Sequence, residues 1–267
     1  MTRILQTEYI EIKDSKTIVS FDKKGDGDWK VWHRLISIDG KPAYEIGNIC
    51  NTCSFYFERL DGANQSIHPD NLVDILNSGL SRLDSEIIKS VSSIIPNGKY
   101  KVVLITVYPK IVDLGKGNDY FAKEQVDLWG IDGFYGLPHN PKINYYRGTD
   151  QKIKEKEKLY EFIIPIFPQT WLDKLRIDFY KDKILNGNIP TAIGLSVLDI
   201  KAPAVWNDDI IPEYTDHWCL AHYILDGHHK IFAANELGKP INLMTFLAID
   251  ECIHVKEDDI KTMLNQI

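Results

Sequence analysis

Over the first 48 residues the hydrophobic positions follow a strand pattern. Glu8–Ile12 and Thr17–Phe21 are rich in β-branched and aromatic residues, and a turn cluster at Gly25–Asp28 (GDGD) precedes a further strand at Trp29–Ile38. Asp22, Asp26 and Gly27 match three positions of a calcium loop, but Lys24 occupies a ligand position and His33 stands where the closing Glu belongs. A hairpin turn is the expectation. After Cys50–Leu60 the period lengthens. Asn71–Leu76 and Leu83–Ile95 carry apolar residues at helical spacing, the second run stopping at Pro96-Asn97-Gly98. Tyr100–Tyr108 (YKVVLITVY) and Tyr160–Phe167 (YEFIIPIF) read as buried strands, with Pro165 marking an edge or a bend. Between them lie a possible helix at Asp119–Leu128 and a Gly-, Pro- and Tyr-rich stretch at Gly130–Arg147.

The second half alternates. An amphipathic helix at Trp171–Leu185 ends at Gly187, and Pro190 opens a strand at Ala192–Ile200. A polar segment, Lys201–Asp216, leads to a strand at Leu220–Leu225. A helix at Lys230–Leu237, stopped by Gly238, and a strand at Ile241–Ile249 follow. The fold class is therefore mixed α/β (α+β): an N-terminal mixed sheet with helices over 1–187, and a C-terminal β-α-β core over 188–267. The break at Gly187–Pro190 is the best candidate boundary, although both parts could belong to one continuous domain.

Composition narrows the function classes. A formal charge of −7, with 38 acidic against 31 basic residues, argues against a nucleic-acid partner, because such binding relies on phosphate neutralisation by Lys and Arg. The apolar runs are far shorter than the roughly 20 residues of a membrane-spanning helix. The N-terminus meets polar residues too soon for a signal-peptide core, so the expected compartment is the cytoplasm, where cysteines stay reduced. Cys50-Asn51-Thr52-Cys53 has metal-ligand spacing but no second close pair, and only distant residues such as His217, Cys219 or His222 could complete a zinc site. Buried thiols beside Phe55 and Phe57 are favoured over zinc or a redox role.

The chemistry concentrates at Asp226-Gly227-His228-His229-Lys230 (DGHHK). An apolar strand ends at Leu225 and a helix begins within a few residues, so Gly227 sits where the backbone must turn and where free N–H groups open. Such helix starts bind anions, and His228, His229 and Lys230 add donors and charge. The competing reading is plainer: Asp226 caps the helix, one His is a satisfied core residue and Lys230 is solvated.

The run Tyr223–Ile241 (YILDGHHKIFAANELGKPI) resembles the ParB and sulfiredoxin-like superfamily, in which a strand leads into a D-G-H-H-R or G-x-x-R motif and then a helix. The resemblance extends over roughly Ile189–Asp250. It implies that Gly227, His228, His229 and Lys230 hold the phosphates of a nucleotide such as ATP, ADP or CTP, with Asp226 beside them as a base or a carboxylate linked to Mg²⁺. Lys230 stands where the superfamily has Arg, and a point charge replaces a bidentate fork.

Phosphoryl transfer also needs a carboxylate to take a proton or hold Mg²⁺. Asp208, Asp209, Glu213 and Asp216 lie in the polar segment just before the strand at Leu220–Leu225, and Glu213 and Asp216 are the leading candidates to fold back over the motif, against a solvated acidic loop. His222 shares a strand face with Ile224 and Asp226. Tyr145-Tyr146-Arg147 could stack a base or sugar, or simply pack. The expected function is nucleotide binding with phosphoryl transfer or phosphohydrolysis. The rivals are a nucleotide sensor or partner-binding protein without turnover, and a ParB-like nuclease or nucleic-acid adaptor.

Overall fold

The computed structural model describes residues 2–69, 71–131, 141–203 and 211–267. In chain order the N-terminal part contributes β1 (Arg3–Ile12), β2 (Val19–Asp26), β3 (Trp29–Ile38), β4 (Lys41–Asn48), β5 (Glu58–Arg59), α1 (Val73–Ser78) and α2 (Ser85–Ser92). Then come β6 (Gly98–Val107), β7 (Lys110–Ile111), α3 (Glu124–Trp129), β8 (Tyr146–Arg147), β9 (Gln151–Lys154) and β10 (Glu157–Pro165). The remainder holds α4 (Lys174–Leu185), β11 (Thr191–Lys201), β12 (Asp216–Asp226), α5 (His228–Leu237), β13 (Ile241–Ala248) and α6 (Glu257–Gln266). The chain is thus an α+β protein, as its alternating periodicities predict.

Nine strands form one mixed sheet in the order β1-β6-β13-β11-β12-β10-β8-β7, with β9 also paired to β10. Strands from both sides of Gly187–Pro190 take part in it. β11 and β12 are antiparallel neighbours, while β12 runs parallel to β10 and β11 parallel to β13. Pro165 ends β10, where the missing N–H interrupts no further pairing. A second, antiparallel sheet, β2-β3-β4-β5, covers part of the first. Its hairpin turn falls at Gly27-Asp28, between paired Asp26 and Trp29.

The strands' two-residue period divides the core. Leu195 and Val197 of β11, Cys219, Ala221 and Tyr223 of β12, and Phe246 of β13 pack with Ile36 and Tyr44 of the small sheet and Leu76 of α1. On the other face, Ala192, Ile224 and Leu243 pack against Ile177 and Tyr180 of α4 and Ile231 and Ala234 of α5. Further along that face Leu198, Leu220 and Leu247 meet Ile260 and Met263 of α6. A buried Arg34–Asp199 ion pair links β3 to β11, and Arg34 also donates to the Ile46 carbonyl at 3.0 Å and the Glu251 carbonyl at 2.6 Å. Among the described residues no helix is long and apolar enough to cross a membrane.

Candidate functional site

The strand-to-helix junction lies at the end of β12. Gly227 has φ 103° and serves as the N-cap of α5, which starts without a side-chain cap. Only glycine fits there, because an added Cβ would lie 2.6 Å from Ala192 Cβ and 2.8 Å from Ala192 Cα. The plainer sequence reading, with Asp226 as the cap, therefore does not describe this helix. Its opening N–H groups keep the anion-binding potential of an uncapped start.

The side chains of the motif mostly turn inward. Lys230 is buried; its Nζ donates to the Thr191 carbonyl at 2.9 Å and lies 3.5 Å from Asp226 Oδ2. Burial lowers the Lys230 pKa, against the raising effect of Asp226. His228 is also buried. Its Nε2 accepts the Ile166 N–H at 3.0 Å and its ring stacks on Phe167 at 4.7 Å. Burial pushes its pKa down to about 4, so it is neutral near pH 7. His229 is half-buried and accepts the Asp173 N–H at 3.0 Å, at the N-cap of α4; burial, then Arg176, lower its pKa. The two histidines thus anchor the connection from β10 to α4, and neither His228 nor Lys230 offers its side chain freely to a ligand.

Asp226 has the most active surroundings. Burial works to raise its pKa, but the hydrogen bond from His68 and the charge of Lys230 outweigh it and hold the value at about 2. Its Oδ1 lies 2.8 Å from His68 Nδ1, and His68 Nε2 lies 2.6 Å from Ser66 Oγ. Ser66 and His68 flank Ile67, whose buried side chain and N–H, donated to the Leu225 carbonyl at 3.4 Å, fasten this segment to the end of β12. The sequence reading did not single out Ser66 or His68. A Ser-x-His on an irregular segment has no distinctive pattern, and the carboxylate it meets is 158 residues away.

Other candidates lie elsewhere. Asp216 opens β12 and Asp226 ends it, so extended strand of roughly 30 Å separates them. Glu213 is exposed at that far end, where its carbonyl accepts from Lys156 Nζ at 3.4 Å. Neither folds back over the motif as expected: β12 begins earlier than the apolar pattern indicates and carries both away. Asp208 and Asp209 lie outside the described residues, as do residues 132–140 of the Gly130–Arg147 stretch. Its closing residues are described. Tyr145 and Tyr146 are buried, and Arg147 pairs with Glu124 and Asp150, so these rings pack in the core. His222 is a buried core residue between Ser196 Oγ at 2.6 Å and Glu161 at 3.3 Å, and does not reach Asp226.

The cysteines require a correction. Cys50 and Cys53 are bonded to each other, their Cα atoms 5.2 Å apart across the Asn51-Thr52 turn, and are therefore not buried thiols or zinc ligands. Cys219 and Cys252 are free. Among the described residues no group of three or more His, Cys, Asp or Glu side chains is arranged to hold a metal ion. Compared with family models, with curated proteins and with solved structures, the chain matches none.

Proposed function

We propose that the protein binds a nucleotide or another phosphorylated ligand at the start of α5 and acts on it by phosphoryl transfer or phosphohydrolysis. The observation that carries this reading is the uncapped helix start at Gly227, directly after an ionised carboxylate. Backbone N–H groups pointing along the helix axis stabilise a phosphate without any side-chain cation. In this reading the contacts come from the backbone of Gly227, His228 and His229. The side chains of His228 and Lys230 set the geometry: His228 holds the Ile166 peptide, and Lys230 fixes one oxygen of Asp226. Asp226 is the carboxylate beside the phosphate, and Mg²⁺ held near it would neutralise phosphate oxygens.

A thermal-shift series with ATP, ADP, CTP and inorganic phosphate, each with and without Mg²⁺, tests the reading. A ligand that binds the native state raises the unfolding midpoint by mass action. His229→Asp places a carboxylate in the first turn, where it suits the helix dipole but repels an anion. The expected result is a shift with one nucleotide that disappears in His229→Asp. If no phosphorylated ligand moves the midpoint of a cooperative melt, the reading falls.

A further inference from the structure

We propose that Ser66 Oγ is a nucleophile, prepared by His68 and Asp226, that attacks the phosphorus of a phosphate ester or nucleotide and carries the phosphoryl group as a covalent intermediate. The phosphorus specificity rests on the reading above; the nucleophile itself does not.

The proton positions follow from the chemistry of the three groups. An ionised carboxylate is only an acceptor, so the 2.8 Å contact with Asp226 Oδ1 requires the proton of His68 to sit on Nδ1. In the neutral imidazole Nε2 is then an acceptor, and the Ser66 hydroxyl donates to it across the 2.6 Å contact. A serine hydroxyl donating to an imidazole whose other nitrogen is held by a carboxylate is the arrangement that raises the nucleophilicity of an otherwise weak alcohol. Asp226 is itself fixed on both sides. Oδ1 faces His68, and Oδ2 faces Lys230 at 3.5 Å, which Thr191 anchors through its carbonyl. Lys230 and Asp226 are positioning residues for His68. His68 remains half-exposed, so a ligand has access to the reacting end of the chain of hydrogen bonds. The same turn that carries Asp226 continues into the free N–H groups of α5.

The step balances without an added redox partner. The Ser66 Oγ–phosphorus bond forms and the bond from phosphorus to the leaving oxygen breaks, its electron pair leaving with that oxygen. The serine proton moves to His68 Nε2 and from there to the leaving oxygen. Water then attacks phosphorus, giving its proton to Nε2; the Oγ–phosphorus bond breaks, and that proton returns to Oγ.

The experiment is labelling of the full chain with a fluorophosphonate, which forms an Oγ–phosphorus bond and releases fluoride, followed by peptide mass mapping. It is paired with incubation with radiolabelled ATP and Mg²⁺. The expected result is one adduct on Ser66, absent in Ser66→Ala and slowed ~100-fold in His68→Gln, with the unfolding midpoints of both variants checked by circular dichroism. In Asp226→Asn the adduct should form more slowly, and Asp226→Glu should restore part of the rate. A purely structural role would show instead as a lowered unfolding midpoint with no such rescue. No adduct on Ser66, or equal rates in wild type and His68→Gln, overturns the nucleophile whatever the nucleotide series shows. An adduct on Ser66 together with no nucleotide-induced thermal shift and no phosphate transferred from ATP keeps the nucleophile and overturns its phosphoryl role.

Discussion

His228 Nε2 accepts the backbone N–H of Ile166 at 3.0 Å, so the first helical residue after the glycine turn is tied to the chain that leaves β10. The same residue is held through its next peptide as well, because Arg59 Nε donates to the Ile166 carbonyl at 2.9 Å. The junction is therefore clamped from two directions before any ligand arrives, and the bond to His228 exists only while Nε2 is unprotonated.

Acid should weaken the fold in two windows. His228 has a folded pKa of about 4, below the usual value near 6.5. Between those values the unfolded chain binds the extra proton, so His228 contributes about 3 kcal/mol that is present above pH 6.5 and lost as pH falls toward 4. His217, which burial lowers to about 3, acts in the same direction. Asp226, held at about 2, adds about 2–3 kcal/mol that is present above pH 4 and lost toward pH 2. Urea unfolding from pH 7 to pH 2 measures this. His228→Asn should flatten part of the upper window, and a level stability from pH 7 to 4.5 in the wild type would contradict a neutral, buried His228.

Gly227→Ala should be costly although it adds one methyl group. The new Cβ would sit 2.6 Å from Ala192 Cβ, and φ 103° strains any L-residue. Overpacking and backbone strain together predict a loss of about 2–5 kcal/mol, read from the urea midpoint. A loss below ~0.5 kcal/mol would mean that the turn has another conformation available.

Removing one partner of the Arg34–Asp199 pair should leave a buried charge uncompensated. Arg34→Met is expected to lower stability by about 3–5 kcal/mol. The double variant Arg34→Met/Asp199→Leu should recover part of that loss, and a double-mutant cycle in chemical denaturation gives the coupling.

Thiol counting checks the Cys50–Cys53 bond directly. The denatured, unreduced protein should react at Cys219 and Cys252 only, giving two thiols, and at all four cysteines after reduction. The closed loop is short, so reduction should cost no more than about 2 kcal/mol. Four thiols before reduction would show that the bond does not form.

Much of the fold was legible because its signals are local. The apolar run Tyr100–Tyr108 became β6, the helical spacing before Gly187 became α4, and Gly238 ends α5 with φ 59°, as a glycine stop should. Two local signals misled. α6 was not anticipated, although Ile260, Met263, Leu264 and Ile267 recur at helical spacing after the charged Glu257-Asp258-Asp259 opening; Ile260 and Met263 pack with Leu198 and Leu220. The early start of β12 was also missed, because Asp216 and His217 look like loop residues until pairing with β10 and β11 satisfies their backbone.

By itself the sequence determined that a strand, a glycine turn and a helix meet at Asp226–Lys230, since periodicity and turn chemistry act over a few residues. Only the tertiary structure decided what the side chains there do. Burial against Thr191 and Tyr180 turned Lys230 inward, the sheet order placed Glu213 and Asp216 at the far end of β12, and packing of Ile67 brought Ser66 and His68 to Asp226. Those outcomes depend on which distant surfaces exclude water together, and no spacing along the chain encodes that.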